Sequence, residues 1–260
     1  QVHGLFITGS YGSGVLMSTE ERKQVAEITM KTDAGRIPVI VHVGTADSAS
    51  AAELAKHAQS IGADAVSAVG PFYYTYNDDS IVAYYDAILK ATGGDFPVYV
   101  YNNPGFQGYP MSLELLKRLK KLGVHGIKDA TFSIIEHTKY ARVLKDENFD
   151  LASGTEAMWL SASALGTEAF IPGMGNALPE ICCQMYEESQ AKDYEKLRVT
   201  QFEVNELRDI MYLAKSTQLA VYAMLEIRGI IKAYPRSPFI PASEEEKQAI
   251  KVRLESLGII

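Results

Sequence analysis

The sequence lacks both a long apolar run and a cluster of basic residues. Its 260 residues include 25 lysines and arginines against 32 aspartates and glutamates, which gives a formal net charge of −7. No apolar stretch approaches the roughly 20 residues that a transmembrane helix needs, and no signal-peptide pattern opens the chain. An acidic protein without basic patches attracts neither nucleic acid nor anionic lipid. We therefore expect neither partner, and we expect a cytoplasmic protein.

Cysteine is scarce as well, and the two cysteines present are adjacent. Cys182 and Cys183 lie in a predicted helix after Pro179, where neighbouring side chains point in different directions and are poorly placed to form a disulfide. No group of cysteines and histidines has the spacing of a metal site. The sequence therefore predicts reduced cysteines and no metal ion.

Seven short apolar runs are spaced fairly evenly along the chain as far as residue 171. The segments between them carry helix-start patterns, such as Ser18 followed by Glu21 and Ser133 followed by Glu136, both typical of capping boxes. Strands and helices that alternate at this spacing predict parallel βαβ units. The predicted strands are Gly4–Thr8, Ile37–Val43, Ala65–Val69, Pro97–Tyr101, Val124–Lys128, Phe149–Ser153 and Glu168–Ile171.

After residue 171 the pattern predicts helices alone. They are Pro179–Gln190, Asp193–Met211, Gln218–Tyr234 and Ser243–Leu257. Seven parallel strands are one short of a closed barrel, and the chain begins almost directly on a strand, without methionine. Since one βα unit takes roughly 30 residues, we expect an α/β fold, a (β/α)8 TIM barrel whose first βα unit is missing. The barrel, from its second strand onward, is expected over residues 1–190 and a C-terminal helical extension over residues 191–260.

The alternative fold is an open doubly wound sheet that binds a dinucleotide. Such a sheet needs a glycine-rich turn between its first strand and helix. Gly12 and Gly14 have the spacing that begins the G-x-G-x-x-G pattern, but methionine, not glycine, occupies position 17. The sequence therefore favours the barrel.

Two of the predicted strands end in side chains that carry chemistry. Lys128 closes the fifth predicted strand and Tyr101 closes the fourth. In parallel α/β folds, active sites lie at the carboxyl ends of the strands. A partly desolvated lysine loses its proton more easily than in water and can attack a carbonyl to form a Schiff base, and a nearby phenol can transfer protons. The alternative for Lys128 is a solvated lysine that pairs with Asp129.

Four short motifs lie at the ends of the predicted strands. They are Thr8-Gly9-Ser10, Gly70-Pro71-Phe72-Tyr73-Tyr74, Tyr101-Asn102-Asn103-Pro104 and Gly126-Ile127-Lys128-Asp129. In this order the set resembles the superfamily of N-acetylneuraminate lyase and dihydrodipicolinate synthase, which are pyruvate-dependent Schiff-base aldolases. The resemblance runs from about Val2 to the helical extension, so it covers nearly the whole chain.

The resemblance implies catalytic and binding roles for these residues. Lys128 is expected to form an iminium with the ketone of pyruvate or of another 2-oxo acid. Tyr101 is expected to take the proton from the C4 hydroxyl of the substrate. Thr8, together with the backbone N–H groups around Gly9 and Ser10, is expected to hold the substrate carboxylate. Each residue also has an ordinary alternative: Thr8 as a strand-end residue and Tyr101 as a core tyrosine.

Tyr73 lies in an aromatic cluster, Phe72 to Tyr76, that is also typical of packing or of a subunit interface. The resemblance implies that Tyr73 reaches the active site of a neighbouring subunit and assists catalysis there. We therefore expect a homo-oligomer, either a dimer or a tetramer.

Further residues are implied to bind the rest of the substrate. Gly154, Thr155 and Glu156 match a stretch that contacts substrate hydroxyls in the sugar-acid enzymes, although Thr155 and Glu156 could equally begin a helix. Ile171 and Gly173, near the end of the seventh predicted strand, are expected to line the pocket. Asn176 is a further candidate for the same lining.

Two departures from the family pattern narrow the expected reaction. Ile7 stands where many members carry a hydroxyl that relays protons to the tyrosine, so that relay is expected to be altered or absent. Phe106 stands where dihydrodipicolinate synthases carry an arginine for a second carboxylate, and a phenyl ring cannot form that ion pair.

The expected function is therefore reversible cleavage of a 2-keto-3-deoxy sugar acid to pyruvate and an aldehyde. The alternatives within the superfamily are N-acetylneuraminate cleavage, dihydrodipicolinate synthesis and dehydration of a keto-deoxy sugar acid. From another class comes a catalytically silent barrel with a binding or regulatory role, which the retention of both Lys128 and Tyr101 disfavours.

Overall fold

The structure is a computed structural model that describes residues 2–93 and 95–260. The chain forms two compact units, and each is described by itself. The first contains residues 2–155 and 161–171, and the second contains residues 156–160 and 172–260.

The first unit is built on a parallel sheet of seven strands, and each of the predicted strands is present. The strands pair in chain order, from the first to the seventh, and each pairing is parallel. They are β1 Leu5–Ile7, β2 Val39–His42, β3 Ala65–Val69, β4 Val98–Asn102, β5 Gly126–Asp129, β6 Asp150–Ser153 and β7 Ala169–Phe170. Within the described residues β1 and β7 form the two edges. The eighth strand and the missing first βα unit are not confirmed and stay a prediction.

Helices follow the strands and then continue alone to the end of the chain. They are α1 Thr19–Asp33, α2 Ser48–Ser60, α3 Asp78–Thr92, α4 Pro104–Gln107, α5 Leu113–Leu122, α6 Ile134–Val143, α7 Trp159–Ala164, α8 Pro179–Gln190, α9 Tyr194–Ile210, α10 Thr217–Ile227 and α11 Glu244–Ser256. Among the described residues, no helix is both long and apolar enough to cross a bilayer. Both cysteines in α8 are free.

The helix-start patterns act as caps, one fully and one in part. At α1, the Ser18 hydroxyl accepts from the Glu21 N–H and the Glu21 carboxylate accepts from the Ser18 N–H, which completes the predicted capping box. At α6, the Ser133 hydroxyl accepts from the Glu136 N–H, whereas the Glu136 carboxylate pairs with Lys139. The second predicted box is therefore present only as its serine half.

Helix α10 is shorter than predicted, since it ends at Ile227 and not at Tyr234. Gly229 has a φ of 70°, in the left-handed region that stops a helix. Its N–H donates to the Glu226 carbonyl at 2.9 Å, which closes the last turn. The apolar residues that follow suggested a longer helix because their pattern continues, but one glycine ends it.

The two faces of the sheet are chemically different. One face, the helix face, packs its aliphatic side chains against the helices in the main apolar core. Its strand residues are Val39, Val41, Val66, Ala68, Val98, Val100, Ile127 and Leu151. Because strand residues alternate in direction, the residues between them point to the other face, the site face, which carries Phe6, His42, Tyr101 and Lys128. A smaller apolar cluster of Val69, Tyr101 and Ala130, with Phe6 packed against it, accompanies these polar side chains.

The second unit is helical and has its own buried interior. Apolar residues of α8 to α11 are shielded from solvent, among them Met185, Leu197, Val204, Leu207, Ile210, Met224, Ile250 and Leu254. At the start of α8, Arg228 donates to the Ala177 carbonyl and pairs with Glu180. The carboxyl-terminal helices thus form a packed structure and not a loose tail.

Candidate active site

Lys128 and Tyr101 are direct neighbours across β4 and β5. The two residues are register partners in the parallel pairing, so their side chains leave the sheet on the same face. Lys128 is 8% exposed, and its Nζ lies 4.0 Å from the centroid of the Tyr101 ring and 4.1 Å from that of Phe6. The sheet thus places a buried amine against a phenol ring.

The ion pair between Lys128 and Asp129, the alternative for a solvated lysine, is wrong for this structure. Asp129 is the next residue on β5 and points to the helix face, where it is fully buried. Its carboxylate is bonded to Nδ1 of His137 at 2.8 Å and accepts from the Thr131 N–H at 3.0 Å. Nε2 of His137 is bonded in turn to the Thr167 hydroxyl at 2.8 Å. Asp129 therefore anchors the end of β5 on the helix face.

The Tyr101 hydroxyl has two polar neighbours. Nδ2 of Asn103 donates to it at 3.3 Å, and Oγ of Ser10 lies 3.4 Å from it. Ile7, by contrast, packs in the apolar core on the helix face of β1. Ser10, in the loop after β1, places a hydroxyl beside the phenol, and the altered or absent relay expected from Ile7 stays a prediction.

Three rings form a triangle on the site face, which we call the aromatic triangle: Phe6, His42 and Tyr101. Their centroids are 6.0 Å apart for Phe6 and His42, 5.9 Å for Phe6 and Tyr101, and 5.9 Å for His42 and Tyr101. The Tyr101 ring meets both of the others nearly edge-on, at 77° and 84°. Edge-to-face packing of this kind fixes ring orientation and adds about 0.5–1.5 kcal/mol per pair.

The loop after β1, Thr8 to Ser10, adopts a conformation that few residues tolerate. Thr8 is buried with a φ of 53°, in the left-handed region. A Cβ at Gly14 would lie 1.9 Å from the Thr8 carbonyl oxygen, and one at Gly9 would lie 2.8 Å from the Phe6 ring. Glycine is therefore required at position 14, where a Cβ would clash with backbone, whereas a Cβ at position 9 would displace the Phe6 ring.

The Thr8 hydroxyl is bonded within the protein, and the expected role of Thr8 in holding the carboxylate stays a prediction. Oγ1 of Thr8 lies 2.8 Å from the carbonyl oxygens of both Ile7 and His42, so its single proton is already directed at the backbone. The N–H groups of Gly9 and Ser10 donate to no acceptor within residues 2–93 and 95–260. These amides, and not the hydroxyl, are the donors open to an anion.

His42 and Arg22 are a buried pair beneath the aromatic triangle. The Arg22 guanidinium donates to the carbonyls of His42 at 2.5 Å and of Gly44 at 3.0 Å, and within the described chain no carboxylate pairs with it. Burial lowers the pKa of Arg22 to about 10. Burial also lowers the pKa of His42 well below its usual value, and the positive charges of Arg22 and Lys128 lower it further. The imidazole is therefore neutral.

The remaining predicted residues of the first unit lie at strand ends or on loops. Tyr73 is 86% exposed with a φ of 83°, and Phe106 is 54% exposed in α4. The Gly154 N–H donates to the Asp129 carbonyl at 2.6 Å, and Thr155 is buried with its carbonyl accepting from the Ser153 hydroxyl at 2.9 Å. The Ile171 N–H donates to the Ser153 carbonyl.

Glu156 and Gly173 belong to the second unit. Glu156 begins a short 3-10 helix, Glu156–Met158, as its alternative role predicts, and it is fully buried. Its Oε1 is paired with Arg208, while Oε2 has no partner among the described residues. The Gly173 carbonyl accepts from Nδ2 of Asn176 at 2.9 Å. The binding roles of both residues stay predictions.

Metal ligands do not converge in the part of the chain that the structure describes. No three His, Cys, Asp or Glu side chains come together there in a way that could hold a metal ion.

A family profile, that of the dihydrodipicolinate synthetase family, matches residues 1–257. The chain belongs to this family. It is 31% identical over 260 residues to the 4-hydroxy-tetrahydrodipicolinate synthase of Phenylobacterium zucineum (strain HLK1), and the match covers 100% of this chain and 87% of that protein. Members of the family are class I lyases of the aldolase type, and this chain is an enzyme of that class.

Two solved structures share the fold of this dihydrodipicolinate synthetase family member. YagE, a prophage protein of E. coli K12 solved in complex with pyruvate, superposes with a TM-score of 0.94 at 23% identity, over 100% of this chain and 88% of that one. A catalytic lysine mutant of the Ruminococcus gnavus sialic acid aldolase superposes with a TM-score of 0.92 at 25% identity, over 98% and 84%.

Sequence reasoning missed three residues of this family member's site: Phe6, His42 and Asn103. Asn103 belongs to one of the four motifs, but no role was predicted for it. His42 is a single polar residue in the apolar run from Ile37 to Val43, and strand alternation places it on the face opposite to Val41 and Val43. This alternation could have indicated that His42 faces the site. The bonding partners of His42 could not be inferred, because Thr8 and Val69 are distant from it in sequence.

A neutral, buried His42 predicts a specific pH dependence of stability. Its pKa is depressed in the folded protein and about 6.5 in the unfolded chain, so unfolding takes up a proton here at lower pH. Above about pH 6.5 the neutral His42 contributes its full share to the free energy of unfolding. As the pH decreases from 6.5, that free energy decreases by at most about 1.4 kcal/mol per pH unit. In urea unfolding at a series of pH values, we expect His42→Phe to show a slope shallower by one proton. Identical slopes for the two proteins would contradict a neutral His42.

Proposed function

We propose that this enzyme is a pyruvate-dependent Schiff-base aldolase that reversibly cleaves a 2-keto-3-deoxy sugar acid to pyruvate and an aldehyde. The observation that carries the proposal is the register pairing of Lys128 with Tyr101, which sets a buried amine beside a phenol on the site face. An amine and an acid–base group side by side are what Schiff-base cleavage of a carbon–carbon bond requires.

Lys128 is the proposed nucleophile. Its amine attacks the C2 ketone of the substrate, water leaves, and a cationic iminium joins Nζ to C2. The rings of Phe6 and Tyr101, at 4.1 and 4.0 Å from Nζ, present their π faces to that position. Since π faces attract a positive charge, and more strongly where water is excluded, they stabilise the iminium.

Tyr101 is the proposed acid–base group. Its phenol gives a proton to the hydroxyl that leaves as water when the iminium forms, and the resulting phenolate takes the proton of the C4 hydroxyl as the C3–C4 bond breaks. The aldehyde leaves, and the electron pair moves to the iminium to give an enamine. Protonation at C3 and hydrolysis then release pyruvate and free Lys128. Asn103 and Ser10, at 3.3 and 3.4 Å from the phenol oxygen, keep it directed at the reacting atoms.

The substrate carboxylate is proposed to bind at the N–H groups of Gly9 and Ser10. Successive backbone amides in a turn form a concave site that suits an anion. The loop lies on the same side of the sheet as the phenol, since Oγ of Ser10 contacts the Tyr101 hydroxyl. A carboxylate held there is next to the C2 carbon that Lys128 attacks.

The first test is covalent trapping with pyruvate and borohydride. We expect reduction to add a pyruvate-derived mass to the peptide that contains Lys128, and Lys128→Met to abolish the label. Lys120→Met is the matched control: Lys120 is a partly exposed lysine bonded to Asp146 in the same unit, and its variant keeps the label. Tyr101→Phe keeps the label but loses roughly 10²–10⁴-fold in cleavage rate. Labelling of a different lysine in active enzyme would overturn the mechanism.

Phe106 supports a sugar acid over dihydrodipicolinate synthesis. That synthesis condenses pyruvate with a semialdehyde that carries a second carboxylate, and burying an anion without a charged partner costs several kcal/mol. Phe106 offers an apolar side chain, 54% exposed, and no charge. The name of the Phenylobacterium relative supports the synthase instead, so synthesis is the second candidate. Cleavage of N-acetylneuraminate uses the same iminium and differs in the tail of the substrate. Dehydration of a keto-deoxy sugar acid also starts from this iminium, but it breaks a carbon–oxygen bond and releases water in place of an aldehyde.

The second test compares the two reactions directly. We expect pyruvate release from at least one 2-keto-3-deoxy sugar acid and little condensation with the semialdehyde. Phe106→Arg should weaken cleavage while leaving the pyruvate adduct at Lys128 intact, because the added cation disfavours an uncharged tail and not pyruvate. Phe202→Arg, at an exposed phenylalanine of α9 in the second unit, controls for added charge. Efficient synthesis by the unmodified enzyme would show that the choice of substrate is wrong.

Several expectations stay part of this proposal. Gly154, Thr155, Glu156, Ile171 and Gly173 are proposed to contact the substrate. The protein is also proposed to form a homo-oligomer in which Tyr73 reaches a neighbouring active site. It is proposed to act in the cytoplasm and without a cofactor.

A further inference from the structure

His42 takes no part in the proposed chemistry, yet it contacts both Tyr101 and the loop that is proposed to bind the carboxylate. Its ring packs against Tyr101 and Phe6, and both of its ring nitrogens are bonded to the backbone at the ends of other strands. One of these backbone groups belongs to Thr8, the first residue of the loop whose amides are proposed to hold the carboxylate.

The backbone partners allow His42 a single tautomer. The Val69 N–H can only donate, so Nε2 of His42, 3.2 Å away, accepts and carries no proton. Nδ1 therefore carries the proton and donates to the Thr8 carbonyl at 3.1 Å. Nη2 of Arg22 also lies 3.4 Å from Nδ1, but because an arginine can only donate, this longer contact is not a hydrogen bond in that tautomer. A protonated imidazole would break the bond to Val69, and it would stand between the cations of Arg22 and Lys128.

Thr8 is held in its left-handed conformation by two bonds to His42. Nδ1 of His42 donates to the Thr8 carbonyl, and Oγ1 of Thr8 lies 2.8 Å from the His42 carbonyl. A non-glycine residue with a φ of 53° is strained, and such strain persists only where the surroundings determine the conformation. The bonds to His42 are those surroundings, and the direction of the Gly9 and Ser10 amides follows from them.

Arg22 fixes the position of His42 from the other side. Its guanidinium donates to the carbonyls of His42 and Gly44, so it holds the chain on both sides of Val43. The imidazole is consequently fixed by its main chain, by both ring nitrogens and by two aromatic neighbours. The His42 ring that packs against Tyr101 therefore has little freedom to rotate.

We propose that His42, as its Nδ1–H tautomer, is a positioning residue that sets the Thr8 to Ser10 loop for the carboxylate of a 2-oxo acid and orients the Tyr101 phenol. The proposal rests on the proposed function, because it assigns the loop to the carboxylate and the phenol to proton transfer. Phenylalanine, asparagine and glutamine can each reproduce one property of His42, but none can reproduce its ring and both of its bonds.

Three variants separate these properties. His42→Phe keeps the ring and loses both bonds, His42→Asn keeps a donor near Nδ1, and His42→Gln keeps an acceptor near Nε2. The readouts are the pyruvate concentration that gives half-maximal borohydride trapping at Lys128, and kcat against KM for cleavage. We expect the pyruvate concentration for half-maximal trapping to rise by roughly tenfold in His42→Phe and His42→Gln, because this is the factor for one lost hydrogen bond. In His42→Asn we expect it to rise by less than about threefold.

Tyr85→Phe is the matched control for a loss that is only structural. The Tyr85 hydroxyl donates to the Ala68 carbonyl at 2.8 Å, next to Val69 but on the helix face, and Tyr85 is fully buried. This variant should lower stability and leave half-saturation unchanged. Should His42→Phe fail to fold, the ranking of His42→Asn above His42→Gln in pyruvate affinity tests the same claim.

The outcomes distinguish the two proposals. Equal half-saturation in the wild type and in all three His42 variants, with normal trapping at Lys128, would overturn the positioning role and leave the aldolase proposal in place. Equal loss of affinity in His42→Asn and His42→Gln would also overturn it, because the donor to Thr8 would then not matter. An absence of any adduct in the wild type would overturn the aldolase proposal, and the role of His42 in it.

Discussion

The register between β4 and β5 is the constraint on which the rest of the site depends. It pairs Tyr101 with Lys128 and Asn102 with Asp129. Because side chains alternate, the first pair faces the site and the second faces the helices. A slip by one residue would exchange them, placing the lysine in an apolar core and the aspartate on the site face. The hydrogen bonds of Asn102 to Tyr140 and of Asp129 to His137 on the helix face oppose such a slip.

A buried cation held by backbone carbonyls is the second feature of the site. Arg22 lies below one-tenth exposure, and among the described residues its guanidinium donates to the carbonyls of His42 and Gly44 and not to a carboxylate. Such an arrangement is costly, since a charge out of water needs compensation. Here the compensation comes from the carbonyl dipoles at the end of β2, which ties the guanidinium to the strand that carries His42.

Much of the fold was predictable because its signals are local. The seven strands and the four helices of the carboxyl-terminal part follow from short apolar patterns and caps. The end of α10 was not predicted, because a glycine at position 229 outweighed an apolar pattern that continued. Lys128 and Tyr101 could be placed at strand ends because short apolar runs mark the strands in the sequence. The contact of Ser10 with Tyr101 spans 91 residues and the bond of His42 to Thr8 spans 34. The geometry of the loop after β1 determines both contacts, and strand periodicity cannot predict the geometry of a loop.

A crystal structure of the enzyme after exposure to pyruvate tests the central claim most directly. The account predicts continuous density between Nζ of Lys128 and C2 of pyruvate, with the carboxylate at the N–H groups of Gly9 and Ser10 and the rings of Phe6 and Tyr101 against the iminium. Pyruvate bound without a covalent link in active enzyme, or joined to any other lysine, would contradict it.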